Sequence, residues 1–135
     1  MTLFKTITIA GMFYNTNTIN IPINLSFQPT YFIVKHVTVT SIVDADISYE
    51  NVLLLKTSLY NNDTIFHFST SLIADDYNYE SSYVNTKYNI NPQTINGNYE
   101  FSLVTINNTI PEMLTELYVG VVQLALTIEF GVEKI

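Results

Sequence analysis

Apolar and polar residues alternate through much of this chain, and the stretch from Val121 to Phe130 shows it best. Val122, Leu124, Leu126, Ile128 and Phe130 fall on one face, and Gln123, Ala125, Thr127 and Glu129 on the other. A period of two is the signature of a strand with one buried face. Ile19 to Phe27 repeats it, with Ile19, Ile21, Ile23, Leu25 and Phe27 against Asn20, Pro22, Asn24 and Ser26. Pro22 has no N–H for a ladder, so this strand is expected at a sheet edge or at a bulge. Tyr31 to Thr40 is almost wholly β-branched or aromatic and starts apolar on both faces, which predicts an interior strand covered on both sides near its start.

The stretch from Val52 to Phe68 predicts a β-hairpin. Leu53, Leu55 and Leu59 share one side, and Tyr60-Asn61-Asn62-Asp63 supplies the turn, because Asn and Asp bond to nearby backbone and tolerate positive φ. Thr64, Phe66 and Phe68 then alternate with Ile65 and His67. Leu3 to Ile9 reads as a first strand ended by Gly11, lying at an edge or in an arm that reaches a neighbouring subunit. Val84 to Ile90 and Tyr99 to Thr105 complete the pattern, with Asn96-Gly97-Asn98 as a turn before the latter. Ser41 to Glu50 reads as a loop. Ser69 to Ser82 reads as a long irregular segment, of the kind that in compact domains carries function or a partner. Pro111 to Leu117 supports one or two helical turns at most. About eight strands and no long helix predict an all-β fold, an antiparallel, jelly-roll-like β-sandwich forming a single domain over residues 1–135.

Composition narrows what such a module does. Charged residues make up only 13% of the chain, about half the usual share of roughly 25%, and Asn, Thr, Ser and Tyr take their place. Net charge is −7 with five Lys and Arg in all, too few for the basic patch that phosphate neutralisation requires. Nucleic acid and anionic membrane surfaces are therefore not expected partners. A low-charge, Tyr-rich surface is instead suited to lasting protein contacts. There are no cysteines, which removes disulfides and thiolate chemistry and fits assembly in a reducing compartment. The first residues are strand-like and unlike a signal peptide, and no apolar run approaches the roughly 18 residues of a membrane span. The sequons at Asn24, Asn62 and Asn107 are what chance gives in a chain rich in Asn, Ser and Thr.

No enzyme is expected. His36 and His67 both sit mid-strand among apolar residues; if their strands paired the imidazoles would meet, but a metal site needs further ligands and no Cys is available. No serine has the tight glycine-flanked turn of a nucleophile, and the four glycines are scattered singly, so no phosphate loop exists. The acids fall in two groups, Asp44 with Asp46 and Asp75-Asp76 with Glu80. Calcium binding or sugar hydrolysis would use such carboxylates, but the spacing is not that of an EF-hand, and solvated loop charge is the simpler reading. No catalytic residue, metal or cofactor is assigned. Tyr77, Tyr79 and Tyr83 in and beside the acidic segment either cover the rim of the sandwich or anchor a contact, with protein ahead of sugar. Together with Leu3 and Phe4 on the ambiguous first strand they are the candidate partner interface.

Three segments resemble small β-sandwich structural proteins of icosahedral double-stranded DNA viruses, the lineage with double jelly-roll major capsid proteins (giant viruses, virophages and polinton-like viruses). They are Phe27-Gln28-Pro29-Thr30-Tyr31-Phe32-Ile33-Val34-Lys35, the hairpin Leu53 to Phe68, and Asn96-Gly97-Asn98-Tyr99-Glu100-Phe101 with the closing Leu124 to Phe130. The Phe-x-Pro-x-Tyr entry to a core strand, and a Gly-x-Tyr-x-Phe strand followed by a long apolar last strand, carry the likeness over about two thirds of the chain. The Asn, Ile and Tyr bias is similar to coding by AT-rich genomes of that kind. The resemblance implies a minor capsid or cement subunit, in contact with other capsid proteins, homo-oligomeric with a trimer favoured by analogy, assembled in host cytoplasm and carried in the virion. The alternative is a carbohydrate- or receptor-binding β-sandwich, a fibre head or lectin, using the loop tyrosines and acids.

Overall fold

A computed structural model describes residues 4–42, 52–73, 76–111, 114 and 121–133. Among them eight strands form: β1 (Phe4–Tyr14), β2 (Thr18–Asn24), β3 (Tyr31–Ile42), β4 (Val52–Thr57), β5 (Asp63–Ile73), β6 (Asp76–Asn89), β7 (Asn96–Thr105) and β8 (Val121–Gly131). Every strand pairing is antiparallel. β1 pairs with β8, β2 with β7, β3 with β6 and β4 with β5, as though one long hairpin had been folded at its middle. That hairpin is then rolled up, which brings β8 onto β3 and β7 onto β4. The products are two four-stranded sheets, β1-β8-β3-β6 and β5-β4-β7-β2. Eight strands wound in this way are a jelly roll.

The core lies between the sheets and is made by the alternating positions. Val122, Leu124, Leu126, Ile128 and Phe130 of β8 are all buried, facing Phe101 and Leu103 of β7 and Leu53 and Leu55 of β4. β3 runs between β8 and β6, as its two-sided apolar start requires, and Phe32 and Val34 are fully buried. β2, the strand with Pro22, is an outer edge with β7 as its one neighbour.

The two long sides of the sandwich are built differently. On one side β5 changes sheets: Asp63 to Thr57 and Ser69 to Val52 are ladder partners in β4's sheet, while Thr70–Ile73 pair with β6. That strand stitches the sheets together. On the other side β1 and β2 are both edges. They are packed closely enough that a Cβ on Gly11 would collide with Cδ1 of Ile19.

Four expectations are corrected. Gly11 does not end the first strand, because the ladder to β8 continues through Gly11–Leu124 to Tyr14–Val121. The tip of the Ile19 side chain lies over Gly11, and the chain does not turn there. Asn96-Gly97-Asn98 is no turn either: it begins β7 and pairs with Asn24, Ile23 and Pro22. Gly97 has φ +138 with open space at its Cβ position, so backbone conformation rather than crowding asks for glycine. Most of the segment Ser69 to Ser82 is strand, the end of β5 and the start of β6. Its Ser, Thr, Asn and Tyr residues suit strands but carry no apolar period by which to recognise one. Finally, the register slips between Leu55 and Lys56, so Ile65 has no cross-strand partner and is 1% exposed, next to a half-buried Phe66. The bulge turns two consecutive side chains inward and breaks the expected alternation. Of the predicted helical stretch, Pro111 and Leu114 are described, and the Leu114 N–H donates to the Pro111 carbonyl at 2.9 Å; the rest lies outside the described residues.

Candidate functional site

β1 is an edge strand with an exposed outer face. It carries eleven residues, FKTITIAGMFY. Of its odd positions, Ile9 and Phe13 are buried, Ile7 and Gly11 are partly covered, and Lys5 is exposed. The even positions Phe4, Thr6, Thr8, Ala10, Met12 and Tyr14 are exposed. Phe4 is 64% exposed, Met12 53% and Tyr14 52%, three of the five exposed large apolar residues among those described. Ladder partners on β8 continue this outer face as Glu129, Thr127, Ala125 and Gln123. A shallow hollow of about 480 Å³ opens there, floored by Ala10, Ala125 and Thr38 and flanked by Met12 and Gln123. This small-residue surface holds little charge. One long edge of β1, with its backbone N–H and C=O groups, is bonded to β8; the other has no strand against it among the described residues.

Of the predicted interface residues, Phe4 lies on this edge, and Leu3 precedes the described residues. Met12 and Tyr14 were missed because the strand was expected to stop at Gly11. The signal was present, since the alternation of even positions runs through Gly11 unbroken. Tyr77, Tyr79 and Tyr83 lie on β6 and not on a loop. Their backbones pair with Leu72, with Thr70 and Val39, and with His36. They are therefore in the same sheet as β1 but three strands away from it.

The two histidines do not meet. His36 lies on β3, across from Tyr83 and Thr127, while His67 lies opposite Leu54 in the other sheet, its ring stacked on Phe66 at 6.2 Å. Among the described residues no three His, Asp or Glu side chains converge as metal ligands. Asp44, Asp46, Glu50 and Asp75 lie outside the described residues. Among those described no helix is long and apolar enough to cross a membrane.

At the end of the sandwich nearest the β4–β5 turn, four rings pack together. Phe32 stacks on Tyr88 at 5.1 Å and meets Tyr60 edge-on at 6.0 Å, and Phe130 lies 6.0 Å away. Tyr60 and Tyr88 are 4.9 Å apart. The Tyr88 hydroxyl donates to the Ile65 carbonyl at 2.5 Å, tying β6 to the bulge of β5. Burial first, and the nearby Tyr60 second, push the Tyr88 phenol above its ordinary value. Outside the rings is a polar hollow of about 260 Å³ lined by Tyr60, Asn61, Asn89, Asn91 and Gln93. Its side-chain amides offer hydrogen-bond donors and acceptors.

No family model matches this chain, and no curated protein matches it. A solved structure described as the crystal structure of decameric BFDV capsid protein is similar at 11% identity, over 96% of this chain and 98% of that one, with a TM-score of 0.24. A likeness of that size fixes neither fold nor function here.

Proposed function

We propose that this chain is a non-catalytic structural subunit of a virus particle, a minor capsid or cement protein that binds other coat proteins and copies of itself. The observation that carries the reading is the exposed outer edge β1 of a jelly roll, with Phe4, Met12 and Tyr14 in solvent. Monomeric proteins commonly blunt such an edge with charges, proline or a covering loop. Along Phe4–Tyr14 the sequence supplies one Lys, at the second position, and no proline. The low charge of the chain and its sequence resemblance to small virion sandwiches support the same reading. The fold alone does not, since jelly rolls serve capsids, lectins and enzymes alike.

The test is mass spectrometry and immunogold labelling of gradient-purified particles of the virus that encodes the chain. A fixed stoichiometry relative to the major coat protein is the expected result. Absence from particles, with the protein left free in the infected cell, overturns the proposal.

A further inference from the structure

We propose that two copies of this chain join through their β1 strands, antiparallel about a twofold axis, to make one continuous eight-stranded sheet. The pairing depends on the reading above only in taking the chain to self-associate. The open side of β1 presents the backbone donors and acceptors that do not face β8, and what satisfies such a row is another extended strand. The other edge, β2, is guarded at mid-strand by Pro22, so one sheet of the sandwich is extendable and the other is not.

The sequence of β1 favours itself as the partner. A twofold pairing centred on Ile9 sets Phe4 opposite Tyr14 of the second copy, Thr6 opposite Met12, and Thr8 opposite Ala10. Each exposed aromatic ring gains an aromatic neighbour on the same face, and the small residues meet near the axis. Lys5 falls opposite Phe13, so the two lysines are at opposite ends of the pair. Charge points the same way. The chain as a whole carries −7, yet Phe4–Tyr14 holds no acid and one lysine. Two acidic molecules repel least along such a stretch.

The test uses exposed positions flanking the axis, so that the fold is left alone. Light scattering coupled to size exclusion on the wild-type chain is expected to show a dimer that dissociates on dilution. Thr8→Lys with Ala10→Lys places like charges across the axis, and the dissociation constant should rise at least tenfold, with the thermal midpoint unchanged when both chains are compared at dilutions where they are monomeric. Thr8→Lys with Ala10→Glu places each introduced lysine opposite an introduced glutamate of the partner, and should recover the dimer. A wild-type chain that is monomeric at every concentration overturns the proposal. So does an oligomer that the double-lysine variant leaves intact, or a mixed-charge variant as weak as the double-lysine one. Failure here is separable from failure of the capsid reading. A dimer absent from particles defeats only the latter, and a particle component indifferent to the double-lysine change defeats only the dyad.

Discussion

The richness of this chain in asparagine has a conformational use. Asn15, Asn61, Asn62 and Asn108 all adopt positive φ, between 54 and 61°, where a side chain with a Cβ costs about 1–2 kcal/mol unless it is short and polar. Asn61 ends the short 3-10 turn Ser58–Tyr60. Asn61→Ala should therefore lower stability by about 1 kcal/mol while Asn61→Gly stays near neutral, as read from urea midpoints. Tyr88 gives a second prediction at this scale. Its phenol is raised by burial and by Tyr60, so the folded state holds the proton more tightly than the unfolded chain, whose tyrosines titrate near ~10. The associated stability is fully present below that pH and is lost as pH rises from there through the raised folded value. Absorbance at alkaline pH should show a late-ionising step that Tyr88→Phe removes.

At the level of elements, the strands with an apolar period were legible and the polar ones were not. β8 and β2 were plain because Val122 to Phe130 and Ile19 to Ile23 alternate strictly, and β3 because a run such as Tyr31 to Val34 has no exposed face to offer. The hairpin joining β5 to β6 escaped, since Ser, Asn and Tyr alternate without contrast and a strand built from them looks like a loop. For the same reason the tyrosine interface was expected on a loop, while the apolar end of β1, Met12 and Tyr14, was passed over behind Gly11. The pairing of β4 with β5 was legible as a hairpin, but the distant partners were beyond reach, because nothing in the sequence of β1 specifies β8. Pro22 is the element-scale test. Its role as a guard predicts that Pro22→Val leaves the fold intact, as judged by circular dichroism, but raises the rate of aggregation followed by light scattering.

Across the whole molecule, stability rests on a core shared by both sheets. Phe32 is fully buried and touches Tyr60, Tyr88 and Phe130, which come from the β4–β5 turn, β6 and β8. Phe32→Ala should cost about 3–5 kcal/mol in chemical denaturation, a large part of the stability of a domain this size. The winding also sets a schedule. β8 lies in the middle of its sheet, between β1 and β3, yet it is the last of the eight strands in sequence. At a translation rate of roughly 5–20 residues per second, the stretch from Tyr14 to Val121 takes on the order of 5–20 s to emerge. Throughout that interval β1 lacks the strand it pairs with among the described residues. Neighbouring nascent chains on one polysome hold such strands close together, so synthesis gives two copies of β1 an opportunity to meet before β8 exists.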